Sequence, residues 1–96
     1  MPKEAGNELV IKLKAALKAA MKVKDRETVG ALRLILAVLQ NLRIAKRADL
    51  TDEEVTAALQ KEAKKRVESK AIYEQAGRLE LAAIEARELK IIRQWL

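Results

Sequence analysis

The sequence predicts an all-α fold, a small four-helix bundle that ends in an antiparallel helical hairpin. Half of the 96 residues are hydrophobic, mainly Ala, Leu, Ile and Val, and there are only three Gly and one Pro. Such a composition is typical of helical proteins. Apolar residues also recur at helical spacing in four stretches, which short turn-like segments separate. We expect helices over about 8–22, 26–46, 52–75 and 79–95.

The first predicted helix follows a short lead-in, Met1 to Gly6, which we expect to fray. Asn7 is a plausible N-cap because its side chain can accept a hydrogen bond from the first turn. Four apolar residues then recur every four positions on one face: Leu9, Leu13, Leu17 and Met21. This helix should therefore pack one apolar stripe against a core.

The second predicted helix is apolar on nearly all sides, which predicts a buried central helix. Asp25 is placed to cap its start. Arg33 and Arg43 interrupt its apolar sequence, and we expect it to be too short and too charged to span a bilayer. Gly30 weakens a helix by about 1 kcal/mol relative to Ala, so we interpret it as a point of close approach by a neighbouring helix.

The third and fourth predicted helices carry clear boundary signals. Thr51 and Glu54 have the spacing of a capping box, in which each side chain bonds the backbone of the other. Leu50 and Val55 flank that cap at the positions of a hydrophobic staple. Gly77 suits the left-handed residue that ends a helix. These signals predict a helical hairpin that turns at Gly77.

Composition excludes several kinds of chemistry. The chain has no Cys and no His, which excludes disulfides and thiolate metal sites and removes the commonest general base. No nucleophile constellation or phosphate-binding loop accompanies the acidic residues. We therefore expect one domain over residues 1–96 that is not an enzyme and has no catalytic residue, metal or cofactor. Without a signal-peptide pattern at the start, the expected location is cytoplasmic.

Four carboxylate and guanidinium groups of the last two helices should face one another: Glu62, Arg66, Glu85 and Glu88. They could act as acid–base groups, or they could form a structural ion network that joins two helices. The structural interpretation is favoured because no reacting group accompanies them. Three carboxylates could also hold Mg²⁺, but such sites usually need more oxygen ligands.

The net charge is +6, and a basic cluster lies midway along the third helix: Lys61, Lys64, Lys65 and Lys70. Such a cluster is most often a solvated helix face. The alternative is contact with nucleic-acid phosphates, which gives affinity without sequence specificity. With one Tyr and one Trp, the chain offers few rings for stacking on bases.

On the last helix, Ile84, Ile91 and Trp95 lie within about 40° of one another, beside the expected core stripe of Leu81, Leu89, Ile92 and Leu96. They could belong to the core, or they could form a docking face for a protein partner or a second copy. Arg87 and Lys90 would then form its basic rim. Docking through this helix is our leading functional interpretation.

Several runs resemble the GatB/YqeY family, small YqeY-like proteins related to the tail of the B subunit of tRNA-dependent amidotransferases. The matching runs are LKAAMK at 17–22, LRL at 32–34, KRADLTDEEV at 46–55, LQKEAKKR at 59–66 and YEQAGR at 73–78. The resemblance implies an all-helical domain linked to the transamidation system, in which the tail meets tRNA and the chemistry occurs elsewhere. It also implies a second small helical domain, which we expect to be missing here.

Some positions depart from the family pattern by lacking charge or reversing it: Ala15, Ala16, Leu42, Leu79, Ala83, Ile84, Ala86, Arg87 and Lys90. Surface helices seldom lose charge without a partner. We interpret these departures as signs of a trimmed or engineered family member. Two functions follow. The first is a non-catalytic scaffold that binds a partner or itself through the last helix. The alternative is a tRNA-binding accessory domain of glutamine-dependent tRNA amidotransferase.

Overall fold

The computed structural model describes the chain from Ala5 to Leu96, and its side chains from Glu8 onward. It contains four helices, α1 (Ala5–Lys22), α2 (Arg26–Lys46), α3 (Asp52–Gln75) and α4 (Leu79–Arg93), and the described residues include no strand. The all-α class is confirmed. The bounds of the three later helices agree with the prediction to within two residues.

The start of α1 differs from the prediction. Asn7 lies inside the helix, which already includes Ala5 and Gly6, so the prediction of an N-cap at Asn7 was wrong. The remainder of the expected frayed lead-in, residues 1–4, lies outside the described residues. Helix propensity does not explain this extension, because Gly6 and Asn7 are both weak helix formers.

The other caps form as predicted. The Asp25 carboxylate accepts hydrogen bonds from the Thr28 hydroxyl at 2.7 Å and the Thr28 amide at 3.2 Å, and these bonds lower the pKa of Asp25. At the start of α3, the Thr51 hydroxyl accepts from the Glu54 amide at 3.1 Å and the Glu54 carboxylate accepts from the Thr51 amide at 2.8 Å. Lys46 also donates to Glu54 at 2.6 Å, the largest cause of a lowered pKa of Glu54.

The hairpin between α3 and α4 turns at Gly77, as predicted. Gly77 has φ of +75°, a left-handed conformation that costs little only for glycine. The Arg78 amide donates to the Tyr73 carbonyl at 2.8 Å, which satisfies a carbonyl in the last turn of α3. Leu50 and Val55, the predicted staple, are both buried in the core.

The prediction that α2 is buried on all sides was wrong. It buries one face, formed by Ala31, Leu32, Ile35 and Leu39. Leu34 and Leu42, which lie off that face, are 47% and 42% exposed. The domain is only 20 Å thick in its smallest dimension, about two helix diameters, so no helix can be surrounded on every side.

The expectation that α2 is too short and too charged to span a bilayer was also wrong. By length and composition alone, Arg26–Lys46 is long and apolar enough to cross a bilayer. A core helix of a folded domain meets the same criteria, and α2 contributes four residues to the core of this one.

Candidate interaction surfaces

The structure brings together the four residues of the predicted ion network, between α3 and α4. The Arg66 guanidinium lies 3.0 Å from Glu62 and 3.1 Å from Glu88, while Glu85 is 3.8 Å from it. The Glu62 side chain is 8% exposed and that of Arg66 is 12% exposed. The network therefore links the two helices of the hairpin in a largely buried position.

The charges of this network are unequal, since three carboxylates share one buried guanidinium. Burial raises the pKa of Glu85, the charge of Glu88 raises it further, and Arg66 acts in the opposite direction. Lys65 adds a more distant contact, 3.6 Å from Glu62, from a side chain that is 59% exposed. Within the described residues, no cluster has the ligands for a metal ion. The arrangement can hold α4 on α3.

The predicted docking stripe on α4 is only partly accessible. Ile91 is 9% exposed and belongs to the core, and Trp95 is half-buried against that core. Ile84 is 40% exposed, whereas Leu96, expected in the core, is 53% exposed. The expectation that α4 buries a single narrow face was wrong because α4 packs against α2 as well as α3. A helix with two neighbours buries a wider arc.

A small groove lies where α4 meets the start of α2, with a volume of about 220 Å³. Gly30, Ile84 and Ile91 line it. At its rim, the Arg87 guanidinium pairs with Glu27 of α2 at 2.7 Å. A Cβ at Gly30 would meet no atom within 4 Å, so the interpretation of Gly30 as a contact point between helices of this domain was wrong.

An apolar row on α2 extends from this groove toward the other end of the helix. Gly30, Leu34, Val38 and Leu42 recur every four residues, each turned about 40° from the one before, and form a row that runs obliquely along α2. We call these four residues, with Ile84 beside Gly30, the α2 face. Its far end opens into a second groove of about 540 Å³, lined in part by Leu42, Ala45 and Ala57.

Sequence reasoning missed the α2 face because it placed the whole helix inside the bundle. A signal was available: a helix that is apolar all round, in a domain too small to enclose it, must leave one apolar side exposed.

The basic cluster on α3 divides into two parts. Lys61, Lys64 and Lys65 are exposed. Lys70 is half-buried, pairs with Glu74 at 2.9 Å, and lies in a groove between α3 and α4. Lys90, expected at the rim of the docking stripe, lines that same groove and not the one at Ile84. The structure therefore separates residues that the sequence had grouped.

The sequence matches the model of a known protein family over nearly its whole length. The family model described as Yqey-like protein matches residues 10–96. The chain belongs to the YqeY-like family. This match confirms the resemblance that the sequence motifs indicated. It lends no support to the interpretation of the chain as trimmed or engineered.

One curated relative is the altered inheritance of mitochondria protein 41, mitochondrial, of Clavispora lusitaniae. It is 35% identical to this chain over 88 residues, which cover 92% of this chain and 51% of the relative. The chain thus spans about half the length of that YqeY-family relative.

Proposed function

We propose that this YqeY-like domain is a non-catalytic binding module that holds a helical segment of a protein partner against the α2 face. The observation that carries the proposal is the exposure of large apolar side chains in one row. Leu34, Leu42 and Ile84 are each at least 40% exposed. Fully burying such a side chain is worth roughly 2–3 kcal/mol relative to complete exposure. Because these side chains are already more than half covered, a partner gains somewhat less than half of that free energy at each of them.

The shape of the α2 face suits a helix. Gly30 and Leu42 are twelve residues apart, which corresponds to about 18 Å along α2, or three turns of a partner helix. Gly30 leaves open space on this side, where the backbone of a partner can approach most closely. A glycine inside a helix costs about 1 kcal/mol, and nothing within the described domain offsets that cost at Gly30.

The charges at the two ends of the α2 face would set the direction of the bound helix. Arg26 and the Arg87–Glu27 pair lie at the groove near Gly30. Lys61 and the Lys46–Glu54 pair lie at the groove beyond Leu42. Rim charges of mixed sign favour one register of a partner over others.

A binding role without catalysis is consistent with the composition. The chain contains no His or Cys, and the carboxylates of the ion network are engaged with Arg66. The link to amidotransferases that the resemblance implies would then concern assembly and not the reaction. The cytoplasmic location stays a prediction, and the relative of Clavispora lusitaniae is named as mitochondrial.

Site-specific photocrosslinking in cells tests this function. A photoreactive residue at Leu34 or Leu42 should crosslink to one defined protein. The same residue at Ile11, which is 61% exposed on α1, should not crosslink to it. With the purified partner, Leu34→Glu combined with Leu42→Glu should abolish binding and leave helicity unchanged, whereas Ile11→Glu should bind normally. Equal crosslinking from Ile11 would refute the proposal.

Binding to tRNA is a second candidate because exposed cations cluster on α3. Lys61 and Lys64 form no ion pair within the described residues, so their charges are available to phosphates. Lys61→Glu combined with Lys64→Glu should lower the affinity for bulk tRNA and reduce its salt dependence, because fewer counterions are released. Lys65 is left unchanged because it also contacts Glu62. No gel shift at low salt would refute this function.

A further inference from the structure

A separate groove runs between α3 and α4, with a volume of about 540 Å³. Its floor is apolar and is formed by Val67, Ala71, Ala86 and Leu89. Val67 is 44% exposed although it is a large apolar residue, whereas Leu89 at the base is buried. The groove therefore exposes apolar surface that neither α3 nor α4 covers.

The rim of this groove is strongly basic. Lys70, Lys90 and Arg93 lie along it, with Glu74 as the one acidic residue among those that line it. The Lys70 ammonium pairs with Glu74 at 2.9 Å. Lys90 and Arg93 form no ion pair within the described residues, so the rim has two cations that are not compensated.

We propose that this α3–α4 groove binds an acidic amphipathic helix of another protein. The apolar side of that helix would cover Val67 and Ala71, which are exposed, and its carboxylates would pair with Lys90 and Arg93. An apolar floor gains nothing from phosphate groups, which favours a protein over a nucleic acid here. The basic rim disfavours a second copy of this chain, whose net charge is +6.

The dimensions of the groove match a short helix. Its residues span Val67 to Glu74 on α3 and Ala86 to Arg93 on α4, each about 11 Å along its axis, or two turns. Two packed antiparallel helices present a groove along which a third helix can lie. Apolar anchors at i, i+3 or i+4, and i+7 would then reach the floor, and acidic residues beside them would reach the rim.

This groove is distinct from the α2 face, and the inference does not depend on the proposed function. The α2 face includes Ile84, whereas the α3–α4 groove includes Leu89, five residues later on α4. At 100° per residue, these two side chains leave α4 in directions about 140° apart. The two surfaces could therefore hold different partners at the same time.

Binding of two designed peptides to the full chain tests the inference. Both peptides are amphipathic helices with the same leucine face, one flanked by Glu and the other by Lys. Fluorescence anisotropy should show binding of the Glu peptide alone. Lys90→Glu combined with Arg93→Glu should weaken it by about tenfold or more, the loss expected for two rim ion pairs. The matched control, Lys12→Glu with Lys18→Glu on the exposed side of α1, changes the net charge equally and should have little effect.

Several results would overturn the inference. Equal weakening by the matched control would mean general attraction to a basic protein, and binding of the Lys peptide would mean that charge does not select the ligand. Absence of peptide binding, or unchanged binding by Val67→Glu, would exclude the apolar floor as a docking surface.

Two other results would assign the groove to a different occupant. A dimer in sedimentation velocity that Val67→Glu dissociates would assign the groove to a second copy. Loss of tRNA affinity in the Lys90→Glu, Arg93→Glu variant, without loss of peptide affinity, would assign it to nucleic acid.

Discussion

Replacing Arg66 by Met should destabilise the domain severely at neutral pH. Arg66 is a largely buried cation between three carboxylates, at 3.0 Å from Glu62, 3.1 Å from Glu88 and 3.8 Å from Glu85. Without it, Glu62 would stay in a position where its side chain is only 8% exposed, with two acidic groups close by. Methionine keeps much of the side-chain volume, so the change removes mainly the charge.

The magnitude follows from burial. Removing one partner of a buried ion pair costs about 3–5 kcal/mol, because the remaining charge is left without compensation. A domain of 96 residues is expected to have an unfolding free energy of about 5–14 kcal/mol, at 0.05–0.15 kcal/mol per residue. Arg66→Met should therefore remove about a fifth or more of the total stability.

The effect should also depend on pH. Without Arg66, the pKa of Glu85 in the folded variant should lie further above its value in the unfolded chain. Burial and Glu88 already raise the pKa of Glu85 in this way, and Arg66 now opposes that shift. A raised folded pKa means that stability is lost as pH rises through it. The deficit of Arg66→Met relative to the wild type should therefore be smaller at pH 5 than at pH 7.

Urea unfolding followed by Trp95 fluorescence and by circular dichroism measures both effects. The matched control is Lys64→Met, an exposed cation two residues away on α3 that forms no ion pair within the described residues. It should change the unfolding free energy by less than about 0.5 kcal/mol. A loss below about 1 kcal/mol for Arg66→Met, with the same value at both pH values, would show that solvent compensates the carboxylates and would refute this reasoning.

Other changes test the fold locally. Thr51→Ala should cost about 1 kcal/mol through loss of the cap, measured by urea unfolding. Gly77→Ala should cost about 1 kcal/mol because of its positive φ. Gly30→Ala should instead raise the unfolding free energy by about 1 kcal/mol, since its Cβ meets open space. A decrease in the unfolding free energy would show that another residue packs closely against Gly30. Glu85→Gln should stabilise the domain at pH 7 by removing a partly buried charge and its repulsion with Glu88, and this gain should vanish as pH falls below the raised pKa of Glu85.

Local signals in the sequence were sufficient for the helices and for most of their ends. The Asp25 cap, the Thr51–Glu54 capping box and the Gly77 turn each depend on residues within a few positions of one another. The hairpin brings Glu85 and Glu88 to Arg66, because a tight turn between antiparallel helices fixes which residues face each other.

The exposure of apolar side chains could not be predicted from these signals. Helical periodicity gives the angle of each side chain around its own axis, but the positions of neighbouring helices decide which angles are buried. In this thin bundle, α4 lies against both α3 and α2, which buries Ile91, while α2 keeps Leu34 and Leu42 at the surface. The sequence alone determined where the helices form, and only their packing decided which of their apolar sides remain open to a partner.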